Sequence, residues 1–565
     1  MRRSPMQTPP EPPTPSDLAT RPSAERSARL ARLREAELDV LIVGGGITGA
    51  GLAQDLGLRG LSVGLVERDD WAAATSSASS RLVHGGLRYL EQFAFGLVRE
   101  SCLERGLLLR NAAGLVWPEQ FLFPVRKGDR VGLAKLAAGL GLYTAVSLPR
   151  ALGLPRLFGK ATVRRRLPAI DRRGLRGGGS YHDGATDDAR LCRAIVESAL
   201  TAGAHCLSRV ELETLDPSAQ AGAAARLVDR IGGERFELRA RAVVLAGGPF
   251  TEGLRARAGL SGRWVEPTRG THIVVPRERL PTDGAVIFPS AIDGRVMFLI
   301  PWPRYTTIGT TDLDADADAP VRATRAEVQY LLDSANALAP VGLTEDDVVS
   351  TWAGLRPLLA APGEDPSARS REERVVREGP IYTIAGGKLT GYRAMAEGLA
   401  ARLTSELDRG QRGRRSPTRD ARLPGAFEAP VARPRWSWLD EEGDPLALDP
   451  LATAWSRRYA ARADAVARRC AADEALPGGS TPLDPETRLG EVDWAVERED
   501  CLGAVDFFLR RTDLGYGPRS TAEAAAQPVL ERLATRLQWS PERRQAERQA
   551  LDEALQGLHG WRDEG

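Results

Sequence analysis

Apolar positions along the chain fall into two rhythms. Leu38 to Val43 (LDVLIV) and Leu61 to Val66 (LSVGLV) are short, nearly unbroken apolar runs. Such runs suit strands buried on both faces of a parallel sheet. Between them, roughly Thr48 to Arg59 predicts a helix that Gly60 ends. From there to about Arg422, further β-rich runs alternate with helical stretches: RAVVLAGG (241–248), THIVVP (271–276), GRVMFLIPW (294–302) and YTTIGTTD (305–312). The alternation predicts an α/β, Rossmann-like nucleotide domain over 38–422, interrupted by a β-rich substrate domain. Residues 423–450 are rich in Pro, Trp and acid and read as a linker. Over 451–565 strand signals fade and Ala, Arg, Leu and Glu dominate, which predicts a helical C-terminal domain; Leu502, Val505 and Leu509 recur at helical spacing before Gly515. Residues 1–37 begin Pro-rich and polar and read as a disordered arm that turns into a short helix just before the first strand. The apolar stretch from Val131 to Pro149 is broken by Lys135 and several Gly. It predicts a helix buried in the fold, with a surface helix dipping into a bilayer face as the alternative.

The junction after the first strand carries chemistry. Gly44, Gly46 and Gly49 form G-x-G-x-x-G. The first glycine permits a tight turn, the second lets the backbone approach a pyrophosphate, and the third lets the helix pack on the strand. The helix then aims its free N–H groups at the phosphates. Glu67 closes the second strand about 20 residues on, where an acid grips the adenosine ribose. The residues beyond it are unusual for a generic nucleotide fold. Thr75, Ser76, Ser77 and Ser79 supply hydroxyls for phosphate or flavin, and His84, Arg88 and Tyr89 come next. Together they point to a flavin enzyme.

With 565 residues the chain needs two or three domains. A formal net charge of +2 leaves no basic field of the kind nucleic-acid binding needs. The five cysteines (102, 192, 206, 470 and 501) and five histidines are scattered, so neither a disulfide framework nor a metal site is predicted. Reduced thiols suit a cytoplasmic setting. The cations are almost all arginine: Lys127, Lys135, Lys160 and Lys388 are the four lysines. A lysine in GGKLT (386–390) therefore suggests a need for a compact ammonium.

A series of blocks in fixed order resembles one family. They are ATSSASSRLVHGGLRYLE (74–91), HDGATDDARL (182–191), RGTHIVVPR (269–277), IPW (300–302), IGTTD (308–312), GLRPL (354–358) and GGKLTGYR (386–393), with EVDWAVERE and FLRRTDLG within 491–515. The family is that of the FAD-dependent glycerol-3-phosphate dehydrogenases, among the D-amino-acid-oxidase-like flavoproteins. The resemblance implies FAD as cofactor and oxidation of sn-glycerol 3-phosphate to dihydroxyacetone phosphate. It also implies electrons passed on to a quinone, with peripheral contact to the cytoplasmic membrane face, and it is compatible with a homodimer.

It further nominates residues. Arg356, Arg88 and Arg371 become phosphate clamps, since a guanidinium fork pairs bidentately with phosphate oxygens. Arg371 sits in a charged run where alignment can slip to Arg369. His272 becomes the base for the substrate hydroxyl, because imidazole titrates near neutrality. His84 lies beside flavin or substrate, and Tyr89 either donates to substrate or packs. Lys388 stabilises developing negative charge. Gly386 and Gly387 let the backbone approach the isoalloxazine, and a helix starting near Leu389 and Thr390 points its positive end there. Asp312 orders backbone. Two departures stand out: AGGPFT (246–251) replaces the usual Asn-Ala-Thr-Gly-Pro-Trp pattern, and Arg269 stands where Lys is common. Three rivals remain. They are an oxygen-using glycerol-3-phosphate oxidase, another flavoprotein oxidase of the same fold, and a flavin-binding protein that has lost catalysis.

Overall fold

A computed structural model describes residues 22–90, 93–148, 152–218, 222–360, 373–407, 415–430, 449–472 and 478–563. Residues 1–21 of the arm and 431–448 of the linker lie outside them. Residues 22–35 extend no polar arm: helix α1 (Pro22–Glu35) buries Leu33. Its Arg26 guanidinium reaches the Asp229 carboxylate at 2.8 Å.

Two sheets build the body. The first is 8-stranded, with β1 (Leu38–Val43) at its heart. Its parallel partners are β2 (Val63–Glu67) on one side and Arg235–Leu245, here β5, on the other. Every residue of β1 is buried, as the unbroken apolar run requires. Helix α2 (Ile47–Leu58) links β1 to β2 and is buried along most of its length. It packs against the helices α5 (Asp188–Thr201) and α6 (Tyr392–Glu406). The helix expected near Leu389 thus starts at Tyr392, and Leu389 and Thr390 lie in the turn before it. That turn leads out of β9 (Ile381–Gly386), which pairs parallel with β5.

The second sheet is 10-stranded and largely antiparallel. It contains β3 (Val116–Arg126), β4 (Leu175–Thr186), β6 (Val265–Pro276) and β7 (Tyr305–Gly309). A further strand, β8 (Ser350–Leu359), runs antiparallel along β6 for its whole useful length. The C-terminal part is helical, ending in α7 (Arg519–Leu537) and α8 (Pro541–His559) around a core of Val492, Phe507, Phe508 and Val529.

The stretch after Val131 departs from its buried-helix expectation. Helix α3 (Phe95–Asn111) packs on α4 (Leu133–Ser147), whose inner residues Leu136, Leu140, Tyr143 and Ser147 are buried. Its outer residues Ala134, Ala138, Gly141, Leu142 and Ala145 are exposed, as is Leu148 just beyond, with 61% of its surface open. The helix is apolar on both faces, so periodicity alone could not tell one face from the other. No helix among the described residues is long and apolar enough to cross a membrane.

Candidate active site

A cleft of about 1680 Å³ runs between the two sheets and onto α8. That exceeds the roughly 300–1,000 Å³ common for single ligands and leaves room for a dinucleotide beside a small substrate. The glycine loop forms one end. Gly44 turns with φ +118°, and a side chain there would collide with the Ala246 carbonyl. One on Gly49 would collide with the Gly44 carbonyl, so the loop and the first turn of α2 close tightly. Ser76 Oγ accepts from the Ile47 N–H at 2.9 Å, satisfying a donor at the open end of α2. Glu67 closes the loop from the other side, accepting from the N–H groups of Gly45 (2.7 Å) and Asp69 (2.8 Å). Burial pushes its carboxyl up from the usual value. The departing AGGPFT segment lines the same end through Gly247, Gly248, Pro249 and Phe250. These features fit the pyrophosphate and ribose of FAD: a Cβ-free cradle, a helix N-terminus and a carboxylate at the strand end.

The hydroxyl run is divided in its tasks. Thr75 donates to the Leu355 carbonyl at 2.6 Å, tying the loop to β8, and Ser77 donates to the Ala74 carbonyl at 3.4 Å. Ser79 is turned to Asp188, which accepts from both its N–H (3.0 Å) and its hydroxyl (2.6 Å). Burial pushes that carboxyl up to about 6.

The register of β6 and β8 builds the other end. His272 pairs with Trp352, Gly270 with Gly354 and Thr268 with Arg356. Side chains alternate faces along a strand, so His272, Trp352 and Arg356 share one face. Between them Gly270 and Gly354 carry no side chain, which lets the Arg356 guanidinium lie back over Gly270 and the Ala78 backbone come against Gly354. Its direction is fixed by Asp312 at 2.7 Å and by the hydroxyl of Thr310 and the carbonyl of Thr311. Asp312 thus orients a cation. His272 is 2% exposed, stacks on Trp352 at 4.8 Å and has its Nε2 2.8 Å from the Ser80 hydroxyl. Its Nδ1 has no hydrogen-bond partner among the described residues. Burial, with the charges of Arg356 and Arg81 behind it, holds the imidazole down at about 3, so the ring is neutral at physiological pH.

The third wall comes from the turn after β9. Gly387 takes φ +97°, and Lys388 Nζ is buried without a hydrogen-bond partner among the described residues, 4.2 Å from the centre of the Tyr89 ring. Leu389 lines the cleft, and Thr390 Oγ1 accepts from the His84 N–H at 3.2 Å. So the cleft brings together His84, Tyr89, His272, Arg356 and Lys388. The side chain of Arg88 and the whole of Arg371 lie outside the described residues. Arg269 faces elsewhere, bridging Glu327 at 2.8 Å.

Sequence reasoning passed over several neighbours. Ser80 stood in the hydroxyl run without being singled out, and Trp352 lies two residues before GLRPL. Arg81 is buried among Trp302, Trp352 and Tyr516 and pairs with Asp513. Cross-strand register brings Trp352 to His272, and long-range packing supplies the other contacts.

Comparison with known proteins gives the family. The FAD dependent oxidoreductase family matches residues 39–407, and the C-terminal domain of alpha-glycerophosphate oxidase matches 416–544. The chain is 37% identical over 382 residues to the aerobic glycerol-3-phosphate dehydrogenase of Staphylococcus aureus (strain USA300), covering 66% of this chain and 68% of that protein. The glycerol-3-phosphate dehydrogenase from Bacillus halodurans complexed with FAD has 30% identity and a TM-score of 0.76, covering 95% of this chain and 98% of that one. The L-alpha-glycerophosphate oxidase from Mycoplasma pneumoniae shares the fold at 18% identity and a TM-score of 0.52, over 66% of this chain and 95% of that one. The chain belongs to the FAD-dependent oxidoreductases, in the glycerol-3-phosphate dehydrogenase family.

Proposed function

We propose that this enzyme oxidises sn-glycerol 3-phosphate to dihydroxyacetone phosphate and hands the electrons to a quinone. The observation that carries the reading is that His272 and Arg356 share one sheet face and both line the cleft. Arg356 takes the phosphate dianion, its fork held in direction by Asp312. Arg88 and Arg371 serve the same phosphate. His272 accepts the hydroxyl proton on a ring nitrogen as C2 is oxidised. Its neutral ring has the lone pair this needs, and a phosphate offsetting the Arg356 charge strengthens it as a base. FAD, when bound, supplies the hydride acceptor. Lys388 sets its ammonium against the negative charge that develops there, and Tyr89 holds that ammonium in place. His84 sits on the loop facing the same space. Glu67, Ser76 and the glycines Gly44, Gly46 and Gly49 hold the nucleotide end.

The quinone reading draws on the surface. Besides the apolar outer face of α4, the chain exposes Leu154 (77%), Phe93 and Phe95. Lys127, Lys135 and Lys160 flank the same segment. Exposed apolar side chains with lysines nearby in the chain suit an anionic lipid surface. A specific observation keeps the oxygen-using reading alive, namely the C-terminal match to alpha-glycerophosphate oxidase. Turnover with sn-glycerol 3-phosphate separates them. We expect reduction of a soluble quinone analogue to exceed peroxide formation in air by at least tenfold. Equal or faster peroxide formation would replace the quinone by oxygen, and no turnover with either acceptor would remove the substrate assignment.

A further inference from the structure

The loop that carries His84 is held by a buried polar node that the reaction scheme does not use. Asp183, in β4, accepts through one carboxylate oxygen from the Gly85 N–H (2.9 Å), from the Tyr143 hydroxyl (2.9 Å) and from the Arg105 guanidinium. Arg105 also donates to the Tyr143 hydroxyl at 3.0 Å. The three side chains come from three elements: β4, α3 and α4. All three are buried, and Asp183 itself lines the cleft. Gly85 sits so close to Tyr143 Oη and Cys102 Sγ that a side chain there would collide with both. On its other flank the loop is pinned by the His84 N–H on Thr390.

A buried ion pair gains little stability over apolar residues of the same volume, because both ions lose their hydration. What it does give is direction. Asp183 is the single acceptor on which two helices and the loop backbone converge, and the next turn, Leu87–Leu90, carries Tyr89 beneath Lys388.

We infer that Asp183 is a positioning residue for the oxidation, setting the His84–Gly86 loop against the cofactor through its bond to the Gly85 N–H, with Tyr143 and Arg105 fixing its carboxylate. The inference rests on the proposed reaction. Displacing a reacting group by about 1 Å can cost on the order of 100-fold in rate.

The test uses the FAD-loaded enzyme and the variants Asp183→Asn and Tyr143→Phe. We expect both to retain FAD. The flavin absorbance band should shift, and the limiting rate of flavin reduction by sn-glycerol 3-phosphate should fall by about 10- to 100-fold in the first variant and by a smaller factor in the second. Apparent substrate affinity should change far less than the rate. Should Asp183→Asn not fold, Tyr143→Phe, which leaves the ion pair intact, decides alone. Wild-type spectrum and reduction rate in folded variants whose melting temperature alone has dropped would overturn the inference. If the wild type itself is not reduced, the substrate reading fails; the band shift, which needs no substrate, still tests the loop.

Discussion

His272 and Arg356 divide the work of a single face. A neutral imidazole stacked on Trp352 and hydrogen-bonded to Ser80 is rigid and carries the lone pair that a base needs. Replacing His272 with Gln keeps the shape and a polar contact but not the base. Flavin reduction by sn-glycerol 3-phosphate should slow by roughly 10²- to 10⁴-fold with FAD content unchanged, measured by stopped-flow absorbance. The same residue sets part of the acid limit of stability. Its native pKa of about 3 lies below the ordinary 6.5, so between those values the unfolded chain takes up a proton that the native state refuses. Stability therefore falls as pH falls through that window. In His272→Gln this contribution is gone, so melting temperature should decline less steeply from pH 6.5 towards 4 than in the wild type; an identical slope would contradict the buried neutral ring. Arg356→Ala should keep its yellow colour but bind sn-glycerol 3-phosphate on the order of 30-fold more weakly or worse, the cost of losing a charged partner.

At the level of elements, what the sequence made legible was whatever depends on local pattern. The apolar run of β1, the glycines of the turn and Glu67 at the end of β2 all sit where spacing predicted, because strand, turn and helix there are dictated by neighbours in the chain. His272 and Arg356 entered through the resemblance and Lys388 stood out as a rare lysine, but their meeting was not legible. It depends on a cross-strand register and on two glycines facing each other. Trp352 was missed for the same reason, and Ser80, Arg81 and Asp183 because their partners lie far off in the chain. The outer face of α4 was misjudged because a helix apolar all round reads the same whether covered or bare. Its exposure carries a prediction. Replacing Leu142, Leu148 and Leu154 together with Ser should lower binding to anionic phosphatidylglycerol vesicles at least tenfold in a sedimentation assay, without altering flavin reduction in solution. Unchanged vesicle binding would place lipid contact elsewhere.

The whole molecule holds together through arginine. Asp70, in the loop after β2, accepts from Arg510 at 2.6 Å and from Arg511 at 2.8 and 2.9 Å, all buried. Burial alone would push Asp70 up, but Arg511 and Arg510 outweigh it and hold the carboxyl well below its usual range. Arg190 with Glu499 and Arg81 with Asp513 extend the seam between the FAD-binding body and the helical C-terminal part. Breaking one partner of such a buried set typically costs about 3–5 kcal/mol, so Asp70→Asn should lower the melting temperature by several degrees at neutral pH. The seam also keeps α8 along the cleft rim, where Leu558 lies. Function at this scale turns on a phosphorylated alcohol reducing the bound flavin, and anaerobic titration of the purified enzyme followed at the flavin absorbance band tests it most directly. We expect full bleaching by one equivalent of sn-glycerol 3-phosphate and none by glycerol at the same concentration. Equal bleaching by both, or by neither, would contradict it.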